Sequence, residues 1–215
     1  QNHLQQLNGN KKNETYNISD PVMESVTTLT LAELNKVRFA QGVLAPKGHL
    51  YYPKSGFSVD NELIRRGIVK GIKRTISDML YIPGPVIGVS GIKYTANKVK
   101  KLRDKLGERQ AGLYLGQIVR MQEEIGTGGG GFRFLYAAFL EEASAYLQDD
   151  RLISISEQIT KAGDLWRSSA VQMAGIYKGR LTEQKDFNDV TNLMYEIAEV
   201  EKHAFKKLAK LKLKY

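Results

Sequence analysis

The chain has 215 residues, a formal charge of +9, 42% hydrophobic content and no cysteine. That length supports one substantial core with at most a small second module, and the lack of cysteine excludes disulfides, thiolate zinc sites and a cysteine nucleophile within these residues. The positive charge favours anionic partners, whether nucleic acid, acidic lipid or acidic protein, without choosing among them.

No run of about eighteen apolar residues occurs, so no transmembrane segment is expected. Residues 1–17 are too polar for a signal peptide, and a cytoplasmic location fits both observations. The chain opens at Gln1 without a methionine, which suggests a fragment or a processed product.

Residues 1–20 differ in composition from the rest. Thr15–Ile18 reads as a strand and His3–Leu7 as a weaker one, with a polar, glycine-containing turn between them. Pairing Leu7 with Thr15 sets His3 opposite Ser19 and beside Asp20. A carboxylate next to an imidazole orients it and raises its basicity, the supporting pair of a nucleophilic triad. The other reading makes His3 a frayed terminal residue and Asp20-Pro21 a simple strand end. A two-stranded hairpin is barely stable alone in water, so this one points to a larger sheet and a missing N-terminal domain.

From Thr30 the period changes. Thr30 and Glu33 form a capping-box pattern ahead of Leu31, Leu34, Val37 and Phe39. The stretch 45–53 is irregular, and its aromatics are expected to pack across a surface, with His49 as a solvated loop residue. Asp60 caps a helix carrying Ile64, Ile68, Ile72 and Ile76 on one stripe. Gly67 and Gly71, four apart on that helix, are expected to admit a close helix neighbour.

A further helix, about Gly91 to Leu106, carries Lys93, Lys98, Lys100, Lys101, Arg103 and Lys105 against Asp104 alone. Such a run is either a solvated basic face or a docking face for an acidic partner, centred on Lys98, Lys100 and Lys101. Helical patterns follow at 108–125, after the glycine run, at 152–177 with Trp166 on the apolar face, and from Phe187 onward. The last ends in six lysines between Lys202 and Lys214, interleaved with Phe205, Leu208, Leu211 and Leu213. No nucleic-acid-binding motif is present, so no specific nucleic acid is expected.

Five glycines lie within Gly126-Thr127-Gly128-Gly129-Gly130-Gly131-Phe132-Arg133, between two helices. The run is either a tight corner in which Phe132 and Phe134 pack closely, or an anion site. In the second reading Gly128, Gly129, Gly130 and Arg133 offer amide N–H groups and a guanidinium to phosphate or carboxylate. A Walker loop is excluded because no Gly-Lys-Ser/Thr follows, and a dinucleotide fingerprint because no strand precedes. After the run, Phe132, Leu135, Tyr136, Phe139, Leu140 and Ala143 mark one helix face. The fold expected is mainly α: a bundle of six or seven helices over 29–215, preceded by a short β-hairpin in 1–28. No metal site is expected.

Three passages together resemble the C-terminal helical domain of proteins similar to butirosin biosynthesis protein H. They are Ile18-Ser19-Asp20-Pro21 followed by Leu31-Ala32-Glu33-Leu34 and Arg38-Phe39-Ala40, the Gly126-to-Arg133 run, and Phe132-to-Tyr136 leading to Phe139-Leu140-Glu141-Glu142-Ala143. The resemblance implies that residues 1–28 end a papain-like α+β catalytic domain whose remainder is absent. It implies a cysteine-dependent acyltransferase or peptidase-like enzyme of secondary metabolism, in which the butirosin member moves an aminoacyl group from an acyl carrier protein to an aminoglycoside amine.

His3 and Asp20 match the His and Asp of the Cys-His-Asp order, whereas the cysteine that should precede them is absent. This chain should therefore not catalyse by itself. No resident cofactor is implied; the phosphopantetheine arm of a carrier protein would arrive as substrate. The alternative is a non-catalytic basic helical module for an acidic protein, nucleic acid or membrane surface. Association with further copies of the chain stays open.

Overall fold

The computed structural model describes residues 14–19, 25–42, 45–52, 56, 58–124 and 128–214. The chain divides into two compact units, 1–58 and 59–215.

In the first unit, β1 (Thr15–Ile18) pairs antiparallel with β2 (Thr27–Thr30), Thr15 facing Thr30 and Ile18 facing Thr27. Within the described residues β1's partner is therefore 27–30. The strand expected at 3–7 lies outside them, as do His3 and Asp20. Thr30 ends β2 and caps α1 (Leu31–Arg38). Its hydroxyl accepts from the Glu33 N–H, and the Glu33 carboxylate accepts from the Thr30 N–H at 2.8 Å. The carboxylate also accepts from the Thr30 hydroxyl at 2.8 Å, and the bonds it accepts from the Thr30 N–H and hydroxyl, the backbone one first, hold the Glu33 carboxyl below its ordinary value. The unit boundary falls after residue 58, and α1 packs on the strands, where a division at 28/29 would separate them. The aromatics expected to pack across a surface do not: Tyr51 and Tyr52 are exposed.

The second unit is a helical bundle. Asp60 accepts the Leu63 N–H at 2.7 Å and opens α2 (Asn61–Leu80). Then come α3 (Gly88–Lys100), α4 (Leu102–Leu106), α5 (Glu108–Val119), α6 (Arg133–Leu147), α7 (Arg151–Tyr177) and α8 (Gln184–Lys210). Eight helices are thus described, because the basic helix expected as one element breaks at Lys101 into α3 and α4.

The 27-residue helices α7 and α8 are each about 40 Å long and pack on each other; α5 and α6 lie against α7, and α2 and α3 against α8. Two apolar clusters result. One gathers Ile92, Leu115, Trp166, Met173, Phe187 and Met194; the other gathers Ile72, Leu140, Leu152, Ile159, Phe205 and Leu208. No helix among the described residues is long and apolar enough to cross a membrane.

Two expectations about faces need correction. The close helix approach expected at Gly67 and Gly71 does not occur: both are exposed, and nothing described lies within 4 Å of a Cβ built on either. On α6 the buried side chains are Ala137, Leu140, Ala143 and Ser144, while Phe132 and Leu135 point to solvent. Phe132 precedes α6 in a left-handed conformation (φ 70°), and Leu135 stands opposite Ala137, Leu140 and Ser144 on the helix, whereas Tyr136 and Phe139 do pack against the core.

Candidate functional site

The glycine turn is held from the helix before it. α5 runs into a π-helical turn over Arg120–Glu124, an element that recurs at functional sites because it redirects side chains out of helical register. There the Glu123 carboxylate accepts the Gly130 N–H on both oxygens at 3.1 Å. The Gln122 side-chain amide donates to Glu123 (2.7 Å) and to the Trp166 carbonyl (2.8 Å), tying the turn to α7. At Gly130 the amide thus already holds an anion, and that anion belongs to the chain.

Gly128, Gly129, Gly130 and Gly131 all have positive φ, between 54° and 81°, where a side chain is strained. Gly128 is exposed, with open space where a Cβ would stand. Gly129 and Gly130 are buried. A Cβ on Gly129 would meet the Arg167 guanidinium at 2.9 Å and Glu123 at 3.0 Å; one on Gly130 would meet the Phe134 ring at 2.9 Å and the Gly163 backbone at 3.2 Å. Phe134 therefore packs into the corner, under the Arg167 guanidinium at 4.4 Å, while Phe132 stays exposed.

Arg133 opens α6 and turns inward. Its Nε and Nη2 donate to the two oxygens of Glu201 at 2.7 and 2.9 Å, and its Nη1 to the Gly131 carbonyl at 2.6 Å. Glu201 is fully buried on α8 and also accepts the Trp166 indole N–H at 2.8 Å. The Arg133 guanidinium lies 5.4 Å from the Trp166 ring centre, within cation–π range. Buried charges persist when paired and hydrogen-bonded, and this carboxylate receives three donors. The cluster joins α6, α7 and α8 where the two apolar clusters meet.

Beside it lies an open cavity of about 440 Å³, lined by Ile92 and Thr95 of α3, Tyr114 and Ile118 of α5, Gln122, Arg133, Trp166 and Met194. Its walls are mostly apolar, with the indole and guanidinium as polar edge. A guanidinium has five N–H donors; three of Arg133's are used, which leaves two for a ligand. Because Glu201 cancels its charge, Arg133 suits a neutral acceptor such as an amide or thioester carbonyl better than a bare anion.

A second cavity of about 160 Å³ touches Arg133, Tyr136, Thr75 and Phe205. Burial pushes the Tyr136 hydroxyl up to about 12.

Of the residues singled out from sequence, Arg133 reaches the cavity, whereas Gly128, Gly129 and Gly130 do not line it. Lys98, Lys100 and Lys101 are exposed, with Lys98 Nζ 5.1 Å from the Tyr94 ring centre. Among the described residues, no group of three or more His, Asp or Glu could hold a metal ion.

Sequence reasoning missed Gln122, Glu123 and Glu201. Glu201 left a signal, for it sits in the apolar stripe Met194, Ile197, Ala204, Phe205, Leu208, and a charge there demands a buried partner. The π-helical turn left none.

Residues 32–208 match the model of one protein family, described as Domain of unknown function (DUF4872). No curated protein and no solved structure matches the chain significantly. Since the match covers most of the chain, the protein belongs to the DUF4872 family.

Proposed function

We propose that this DUF4872-family chain is the substrate-binding helical part of a butirosin biosynthesis protein H-like, cysteine-dependent acyltransferase or peptidase-like enzyme. The observation that carries the reading is the cavity beside Trp166: apolar walls for an acyl chain, and two Arg133 N–H groups for the carbonyl that follows it. The passages that carry the resemblance from Leu31 onward lie almost entirely within the matched region.

In this reading the thiolate belongs to a papain-like domain, since the chain has no cysteine. That thiolate takes the acyl group from a carrier thioester, His3 serves as base and Asp20 orients it. The exposed Lys98, Lys100 and Lys101 steer an acidic acyl carrier protein towards the helical unit.

Trp166 is the single tryptophan, so its fluorescence reports occupancy of the cavity. Titration with a short-chain S-acylpantetheine should give a saturable change that Thr95→Arg, which fills the cavity, abolishes. Replacing Lys98, Lys100 and Lys101 by glutamate should weaken acyl carrier protein binding and flatten its salt dependence. If neither ligand binds the wild-type chain, the substrate-binding reading fails and a non-catalytic basic module takes its place.

A further inference from the structure

Three lysines, one on α3 and two on α8, have no part in the cavity described above. Lys93 of α3 and Lys202 and Lys206 of α8 line a cleft of about 170 Å³, whose remaining wall includes Ser90, Leu80 and Tyr81. Around it the charges do not balance. Glu199 pairs with Lys93, and its carboxyl is held below the ordinary value by Lys93 first, with Lys202 and Lys206 adding to the effect. All three ammonium groups thus act on one carboxylate.

Lys202 and Lys206 form no ion pair among the described residues. No acidic residue is among those lining the cleft, and the acids next in the chain to its wall, Asp78 and Glu201, pair with Arg74 and Arg133. Three cations against one anion leave the cleft at about two positive charges.

We infer that this cleft is a binding site for a dianionic phosphate group. The net charge of the cleft matches the dianion. Ammonium groups bind phosphate as point charges without demanding the planar, bidentate geometry that a carboxylate offers to arginine. The Ser90 hydroxyl supplies a further donor at the wall. The apolar side formed by Leu80 and Met79 limits water on one flank and strengthens the field inside. The site is independent of the acyl-transfer reading, since it uses neither Arg133 nor the cavity at Trp166.

The test is calorimetric titration of the full chain with inorganic phosphate and with phenyl phosphate at low ionic strength. Saturable one-to-one binding is expected for both. The variant Lys202→Gln/Lys206→Gln should weaken it at least tenfold, and Lys206→Gln alone by a smaller factor. The control Lys161→Gln/Lys178→Gln removes the same charge from exposed positions elsewhere on the surface and should change it less than twofold. Thermal melts of each variant confirm that it is folded. Absence of saturable binding, or an equal loss in the control, would overturn the site and leave only diffuse attraction by net charge. Binding of inorganic phosphate alone identifies a free-anion site; tighter binding of phenyl phosphate identifies a site for an organic monoester.

Discussion

Helix α8 carries two glutamates two residues apart, and they turn to opposite surroundings. Glu199 is 59% exposed and pairs with Lys93 across to α3; Glu201 is 0% exposed and takes both donors of Arg133 plus the Trp166 indole. Both are ion pairs on one helix, yet they differ in what water does for them. The exposed pair is solvated whether or not it forms, so it adds little. In the second pair Glu201 has no water to fall back on, so it depends on Arg133 and the Trp166 indole. The first is set to share its lysine with a ligand, whereas the second fixes three helices in place.

The sharpest way to break this comparison is Glu201→Gln. It leaves the Arg133 guanidinium without its counter-charge, and stability should fall by about 3 kcal/mol in urea unfolding at pH 7, the low end for a buried pair because Arg133 is 25% exposed. Replacing both Arg133 and Glu201 by methionine should recover most of that loss, since the unpaired charge goes with its partner.

Next in size is Gly130→Ala, which forces a side chain to a φ of 57° and into the Phe134 ring and Gly163 backbone. A loss of about 2–3 kcal/mol is expected from strain and overpacking together. The same substitution at Gly71, where nothing lies near and the helix is exposed, should raise stability by about 1 kcal/mol. Opposite signs in thermal melts would separate a glycine the corner needs from one the helix merely tolerates.

The smallest effect belongs to Glu199→Gln, below about 1 kcal/mol and smaller still in 1 M salt. Its pH dependence has a definite sign. The carboxyl is held below its ordinary value, so its contribution is present above the ordinary glutamate range and is lost as pH falls through the lowered value. Melts of wild type and variant should converge on acidification.

Much of the fold was legible because helices announce themselves locally. The Thr30–Glu33 capping box, the Asp60 cap and the stripes of α7 and α8 each follow from spacing within a few residues. Faces were read less well. Leu135 counts toward the apolar spacing of α6 and still points to solvent, because at about 100° per residue it stands opposite Ala137, Leu140 and Ser144. Gly67 and Gly71 look like a contact motif, but whether a neighbour arrives depends on packing that no local window contains.

The site divides in the same way. Arg133 was visible as a cation after a glycine run, and Glu201 stood in plain view on an apolar stripe. That the two meet, 68 residues apart in the chain, depends on α6 and α8 both lying against α7. By itself the sequence determined that the chain is mainly helical, where capped helices such as α1 and α2 begin, that the composition is basic, and that no thiol chemistry resides in these residues. Only the tertiary structure decided that Arg133 is neutralised, that Glu123 holds the glycine turn, and that three lysines converge on one glutamate. Helix signals act over one or two turns, whereas the pairing of charges and the opening of a cavity depend on which distant surfaces the bundle brings together.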